Sequence, residues 1–86
     1  MLRITEEKTK ENSLVLQLEG QLIGPWVSEL HRLCEESAAK GRGFSIDLAL
    51  LSFADRSGIL LLKDLRGRGT AVINGSPFLR EQLNED

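Results

Sequence analysis

The residues best suited to chemistry lie in one segment, residues 52–58 (SFADRSG), between a predicted strand and a predicted helix. Asp55 can accept hydrogen bonds from the unpaired amides at the start of that helix, and its charge suits the positive end of the helix dipole. Arg56 opposes the same dipole, at a cost of about 0.3 to 1 kcal/mol. Arg56 therefore pairs with Asp55, points into water or contacts a partner, and the sequence leaves these interpretations open.

Ser57 and Gly58 each allow a structural and a functional interpretation. Small residues let the start of a helix pack closely under the edge of a sheet. Alternatively, a phosphoryl group on Ser57 would lie on exposed backbone amides beside Arg56, which is a favourable place for a dianion. The residue types do not choose between the two, so Ser57 is a candidate phosphoacceptor.

Catalytic and metal sites receive little support from the sequence. Ser57, His31 and an acid, either Asp47 or Asp55, supply the residue types of a nucleophilic triad, but no local signature supports its assembly. We expect His31 to lie solvated on a helix surface and Cys34 to be a small core residue. Together they offer two ligands, fewer than a structural zinc site needs. We predict no enzyme, no metal and no cofactor. The weakest alternative is an enzyme or a nucleotide-binding protein.

The charge distribution argues against nucleic acid as a ligand. Eleven Lys and Arg against thirteen Asp and Glu give a net charge of −2. Two Gly-Arg-Gly pieces, at 41–43 and 67–69, precede predicted strands, so we interpret them as helix ends rather than phosphate loops. A positive cluster in the second helix region is either a solvated face or the complement of an acidic protein partner. This cluster contains Arg56, Lys63, Arg66 and Arg68 against Asp64.

Length and composition predict one small globular domain spanning residues 1–86. The chain has 86 residues, of which 41% are hydrophobic and 28% charged, values near the globular averages. A single cysteine cannot close an intrachain disulfide, which is typical of a reducing compartment. The first residues form neither a signal peptide nor a membrane span. We therefore expect a cytoplasmic protein without membrane insertion.

The hydrophobic periodicity predicts seven elements in the order β-β-α-β-α-β-α. We predict strands at 2–5, 13–20, 43–51 and 70–73, with 6–12 as a solvated connection and Gly20 ending the second strand. Helices are predicted from Pro25 to Gly41, after Asp55 to Gly67 or Gly69, and from Pro77, capped by Ser76, to Leu83. The buried faces are expected to include Leu14, Leu16, Leu18, Phe44, Ile46, Leu48, Leu50, Trp26, Val27, Leu30, Leu33, Ala38, Ile59, Leu60, Leu61, Leu62, Leu65, Phe78, Leu79 and Leu83.

This element order predicts an α/β fold with a mixed sheet and helices packed on it. Strands that alternate with helices pair in parallel, whereas the initial strand pair, which lacks an intervening helix, should be antiparallel. Loops at the carboxyl ends of parallel strands gather at one edge of such a sheet. We therefore expect a functional edge formed by residues 20–25, 51–58 and 74–77.

Three segments form a recognisable pattern: residues 18–22 (LEGQL), 45–48 (SIDL) and 52–58 (SFADRSG), the last followed by a leucine-rich helix. Through these segments the chain resembles the STAS domain family, the fold of bacterial anti-sigma factor antagonists. In that family a hydrophobic strand precedes Ser-Phe-x-Asp-Ser-Ser-Gly. The resemblance implies a bacterial regulatory module that acts in signalling and transcription regulation by binding a protein such as an anti-sigma-type kinase.

One departure from the family pattern changes this expectation. The usual phosphoacceptor directly follows the Asp, where this chain has Arg56, and Ser57 matches the second, normally unmodified serine. The resemblance thus implies a module that lacks the usual phosphorylation switch; the alternative is a small STAS-like subunit of a larger assembly, such as a transporter ATPase complex. The chain stops after the helix that ends near Leu83, short of the extra strand and helix that typical members of the family carry. We therefore expect an open sheet edge along 70–73, which offers a route to self-association. The predicted partner-binding residues are Asp55, Arg56, Ser57, Gly58 and Lys63.

Overall fold

The computed structural model describes residues 1–9, 11 and 13–84, and it contains the seven elements in the predicted order. Lys10 and Asn12, which belong to the predicted connection after the first strand, lie outside the described residues. The elements are β1 (Leu2–Lys8), β2 (Leu14–Leu22), α1 (Pro25–Ala39), β3 (Phe44–Ala54), α2 (Arg56–Gly67), β4 (Ala71–Ile73) and α3 (Pro77–Asn84).

The four strands form one mixed sheet in the order β1-β2-β3-β4. β1 is antiparallel to β2, while β2–β3 and β3–β4 are parallel, which confirms the predicted pairing. β1 is longer than the predicted strand 2–5, because the pairing with β2 continues to Lys8, which lies opposite Leu14. The charged side chains of Glu6, Glu7 and Lys8 are exposed there, a composition that edge strands tolerate well.

The helices cover one face of the sheet. Buried residues of α1, α2 and α3 belong to one core cluster with Leu16 and Leu18 of β2, the arrangement expected of right-handed crossovers between neighbouring parallel strands. The alternating residues Leu14, Leu16 and Leu18 of β2 are buried, as predicted. Buried residues of the helices are Leu30, Cys34 and Ser37 of α1, Gly58, Ile59, Leu61, Leu62 and Leu65 of α2, and Leu79 and Leu83 of α3.

Two bulges in β3 overturn the prediction that Leu50 faces the core. Between Gln17 and Glu19 of β2, the paired residues of β3 advance by three positions, from Asp47 to Leu50, and a second shift follows after Gly20. Each extra residue reverses the side to which the next side chain points. Leu48 is therefore buried, whereas Leu50 is 51% exposed and Leu51 is buried instead. β3 also continues to Ala54, beyond its predicted end at residue 51.

Three further side chains predicted in the core are exposed. Ala38 of α1 faces solvent, because Leu30, Cys34 and Ser37 form the stripe that packs inward. Leu60 of α2 and Phe78 of α3 are 54% and 50% exposed, since the neighbouring Ile59 and Leu79 take the buried positions. Each helix thus contacts the core along a narrower stripe than its apolar residues suggested.

The glycine at position 20 does not end β2. The strand continues to Leu22, and Gly20 adopts a φ of 103° inside it. A Cβ at Gly20 would lie 2.5 Å from the backbone oxygen of Met1, which accepts a hydrogen bond from the Gln21 amide at 3.0 Å. Gly20 is therefore a position where β1 and β2 approach closely, rather than a strand terminus.

As predicted for 70–73, β4 is an edge strand of the sheet. This strand comprises only Ala71–Ile73, since Thr70 precedes it, and within the described residues it pairs with β3 alone. Among the described helices, none combines the length and the apolar character that crossing a membrane requires.

Candidate partner-binding site at the carboxyl edge of the sheet

Asp55 holds together the starts of two helices. It caps α2, where its Oδ1 accepts a hydrogen bond from the Gly58 amide at 2.8 Å, as the sequence predicted. Its Oδ2 accepts a second bond, at 3.0 Å, from the amide of Gly24, the residue that precedes α1. These amides, first that of Gly24 and then that of Gly58, hold the pKa of Asp55 below its ordinary value. The sequence missed the Gly24 contact, because 31 positions separate the two residues.

Gly58 packs directly beneath the end of β2. A Cβ at this position would lie 2.7 Å from the backbone oxygen of Leu22 and 3.0 Å from its Cγ. The same oxygen accepts a hydrogen bond from the Asp55 amide at 3.1 Å. The structural interpretation of Gly58, that a small residue lets the helix start pack under the sheet edge, therefore accounts for this residue.

Arg56 and Ser57 are exposed on the first turn of α2. The guanidinium of Arg56 forms no ion pair with any residue in the described part of the chain, so the alternative in which Arg56 pairs with Asp55 is wrong. The Ser57 amide contributes, after those of Gly24 and Gly58, to the lowered pKa of Asp55. A cation and a hydroxyl thus lie next to each other at the surface, beside a carboxylate that is turned toward backbone amides.

The basic side chains of the positive cluster predicted on α2 do not all lie in the same environment. Arg68 pairs with Asp64 at 3.1 Å and with Glu35 of α1 at 3.3 Å. Arg66 donates hydrogen bonds to the backbone oxygen of Leu83 and to Asn84 of α3. These two arginines connect α2 to its neighbours. Arg56 and Lys63 line a surface groove.

That groove runs between α2 and α3 and has a volume of about 550 Å³. Its apolar lining includes Phe53, Ile59, Leu60 and Phe78. The rings of Phe53 and Phe78 stack with their centroids 6.5 Å apart and their planes at 19°. Sequence reasoning missed this surface, because it assigned Leu60 and Phe78 to the core. The only signal in the sequence was that α2 and α3 contain more apolar residues than fit on the narrow stripe that a helix can bury.

The residues of the hypothetical triad are engaged separately. The Nε2 of His31 lies 3.3 Å from Glu35 on the exposed face of α1. Asp47 accepts hydrogen bonds from the Ala49 amide at 2.9 Å and from Asn74 at 3.2 Å.

Cys34 is buried, as predicted, and burial raises the pKa of its thiol to about 11. Among the described residues, no three His, Cys, Asp or Glu side chains are grouped closely enough to hold a metal ion.

Comparison with solved structures identifies the fold. The unphosphorylated form of the anti-sigma factor antagonist SpoIIAA aligns with 92% of this chain and 79% of its own, with a TM-score of 0.71 and 23% identity. An uncharacterized protein of the DUF3478 family from Shewanella loihica PV-4, described as having a SpoIIAA-like fold, aligns with 93% of this chain and 70% of its own, with a TM-score of 0.57 and 22% identity. No protein-family model and no curated protein matches the sequence. Identities this low establish the fold alone, and the chain has the SpoIIAA-like fold.

Proposed function

We propose that this chain is a non-enzymatic regulatory module that binds a protein partner, such as an anti-sigma-type kinase, at the start of α2. The partner-binding residues in this proposal are Asp55, Arg56, Ser57, Gly58 and Lys63. Asp55 and Gly58 position the start of α2, while Arg56, Ser57 and Lys63 form the contact surface. The buried free thiol of Cys34 is compatible with the cytoplasm, which we propose as the compartment.

The exposed guanidinium of Arg56 is the observation on which the proposal depends. It follows Asp55 directly, at the positive end of a helix, where it opposes the helix dipole. No carboxylate in the described residues offsets that cost by pairing with it. A contact with an acidic group of a partner would account for a cation at this place. Because arginine keeps its charge at any physiological pH, the contact would be permanent rather than switched.

The proposal is tested by identifying a partner and measuring its affinity. A tagged chain is purified from its natural host, a co-purifying protein is identified, and calorimetry gives the Kd of the purified pair. We expect Arg56→Glu to weaken binding at least about tenfold, since it replaces an attraction by a repulsion. Lys8→Glu is the matched control, because Lys8 is an exposed cation that pairs with the first residue of β2, at the opposite edge of the sheet. Equal Kd values for the Arg56→Glu variant and the parent would remove the proposed contact.

Ser57 remains the candidate phosphoacceptor. It is exposed beside Arg56, which would attract a phosphoryl group, but it also adjoins the ionised Asp55, which would repel one. Our proposal is a module that works without phosphorylation. Incubation with the identified partner and ATP, followed by peptide mass spectrometry, decides the matter. Phosphorylation of Ser57 at high occupancy would contradict this proposal and would show instead a phosphorylation switch at the residue next to Arg56.

A small subunit of a larger assembly, such as a transporter ATPase complex, is the second candidate function. The observation that favours it is the exposure of Leu60 and Phe78 on the outer sides of α2 and α3. In such an assembly the apolar helix surfaces would contribute more than the Arg56 turn. Native mass spectrometry of the complexes that contain this chain separates the two functions: a binary complex with one soluble regulator supports the first, and a multi-subunit membrane complex supports the second.

A further inference from the structure

A second cavity lies at the amino ends of β3 and β4, whereas Asp55 follows the carboxyl end of β3. Its volume is about 300 Å³, which falls at the lower end of the range of about 300–1,000 Å³ that is usual for small-molecule sites. Both Gly-Arg-Gly pieces of the sequence line this cavity, with residues 42–43 in the turn after α1 and residues 68–69 in the turn after α2. The fold therefore brings two arginines that are distant in the sequence to one cavity.

The two arginines differ in their partners. Arg68 pairs with Glu35, which also lines the cavity, at 3.3 Å, and with Asp64 at 3.1 Å. Arg42 is partly buried, and no side chain among the described residues pairs with its guanidinium or accepts a hydrogen bond from it. Since Arg68 neutralises Glu35, the lining of the cavity presents the charge of Arg42 alone.

The position of Arg42 at the end of α1 does not by itself satisfy its side chain. The dipole of a helix favours a cation near its last turn, but this effect fades beyond that turn, and Arg42 lies after the capping residue Lys40. The dipole also supplies no acceptor for the N–H donors of the guanidinium, which are partly withdrawn from water. An anion with two oxygen atoms would supply acceptors in the geometry that a guanidinium prefers.

The rest of the cavity combines an apolar wall with one hydroxyl. Ala38 of α1, Phe44 of β3 and Leu65 of α2 form the apolar wall, and Leu65 also belongs to the hydrophobic core. Thr70 is partly buried at the cavity, and its hydroxyl has no hydrogen-bond partner in the described part of the chain. A few polar groups placed in a mainly apolar lining are the usual composition of a small-molecule site.

From this arrangement we infer that the cavity binds a small organic monocarboxylate with an apolar body. The guanidinium of Arg42 would hold the carboxylate through two parallel N–H···O bonds, the Thr70 hydroxyl would donate a further bond, and the body would lie against the apolar wall. One uncompensated positive charge matches a monoanion, whereas a phosphate dianion would keep a negative charge without a partner. None of the residues proposed to contact the protein partner lines this cavity, so the inference is independent of the proposed function.

The test is a titration of the full, isotope-labelled chain, followed by two-dimensional NMR of its backbone amides. The ligands are benzoate, phenylacetate and hexanoate, each compared with its neutral primary amide, which has the same body. We expect at least one carboxylate to bind saturably with a Kd of about 1 mM or lower, to shift the amides of residues 42–43 and 69–70, and to bind at least about tenfold more tightly than its amide. No saturable binding, or equal binding of each carboxylate and its amide, would overturn the inference.

Inorganic phosphate serves as the competing anion in the same titration. We expect it to bind more weakly than the best of the three carboxylates, because it has no apolar body to cover the wall formed by Ala38, Phe44 and Leu65. Phosphate binding as tight as that of the best carboxylate would show a general anion site, and this result contradicts the inference.

Two pairs of variants test whether the carboxylate lies in this cavity. Arg42→Gln removes the charge, and Arg80→Gln is its control, because Arg80 is an exposed cation of α3 outside the lining. Ala38→Leu fills part of the cavity, and Ala39→Leu makes the same change at the next position, outside the lining; both alanines are exposed, so both variants should fold. We expect Arg42→Gln and Ala38→Leu each to weaken carboxylate binding at least about tenfold and the controls to leave it unchanged. An Arg42→Gln or Ala38→Leu variant that binds as tightly as the parent would place the ligand elsewhere and refute the inference.

Discussion

Replacing Gly58 by alanine tests the close approach on which the position of α2 depends. The new Cβ would lie 2.7 Å from the backbone oxygen of Leu22, a distance that requires the strand end or the helix start to shift. Overpacking of this kind costs about 1–3 kcal/mol, and alanine returns up to about 1 kcal/mol through its higher helix propensity. Because the obstacle is backbone rather than a flexible side chain, we expect a net loss of about 2 kcal/mol.

Gly67 provides the control within the same helix. A Cβ at Gly67 meets nothing within 4 Å, and no left-handed backbone is required there. Gly67→Ala should therefore be neutral or stabilise the protein by up to about 1 kcal/mol. The difference between the two variants isolates the contact with Leu22 from the general effect of replacing glycine by alanine in a helix.

Thermal and urea unfolding followed by circular dichroism measure both effects. For a domain of this size, about 2 kcal/mol corresponds to a fall in Tm of roughly 8–16 °C. The midpoint of the Gly58→Ala variant should fall by that amount, while the midpoint of the Gly67→Ala variant should stay or rise. A Gly58→Ala variant as stable as the parent would refute the reasoning that α2 begins in direct contact with the end of β2.

Three further predictions concern Asp55, the bulge in β3 and the buried thiol. Amide hydrogen bonds lower the pKa of Asp55 in the folded state from an ordinary value of 3.8. The contribution of Asp55 to stability is therefore complete above that pH and is lost as the pH falls through the folded pKa. Denaturation at several pH values should show that the free energy of unfolding falls less on acidification in the Asp55→Asn variant than in the parent. Leu48→Ala should cost about 2–5 kcal/mol in urea unfolding, whereas Leu50→Ala should change stability by no more than about 0.5 kcal/mol; equal losses would contradict the bulge. The Cys34 thiol, with its pKa of about 11, should react with a thiol reagent at pH 8 about a hundredfold more slowly in the folded protein than in urea, and equal rates would show that the site is open.

Local signals in the sequence were sufficient to predict the order of the elements and the cap of α2. Alternating leucines identified β2, and Pro25 identified the first residue of α1, because its missing amide proton has no partner at a helix start. Asp55 identified the start of α2, since a capping carboxylate acts on amides within the next few residues. These features depend on neighbours in the chain, so they are visible without the fold.

The features that the sequence did not predict depend on contacts between distant segments. The bulges in β3 arise from its register with β2, and the exposure of Leu50 follows from that register. The exposure of Leu60 and Phe78 depends on how α2 and α3 are rotated against the sheet and each other. The bond between Asp55 and the Gly24 amide requires two loops to meet. The apolar groove was therefore not predicted, because the sequence does not show which apolar side chains the packing of the helices leaves exposed.

A charge-exchange cycle tests the proposed permanent contact between Arg56 and an acidic group of the partner. In the identified partner, the carboxylate that lies opposite Arg56 is replaced by arginine, and calorimetry measures the four combinations with the parent chain and with Arg56→Glu. We predict that each single change weakens binding at least about tenfold and that the double exchange restores most of the loss. Losses that simply add in the double exchange would contradict the claim.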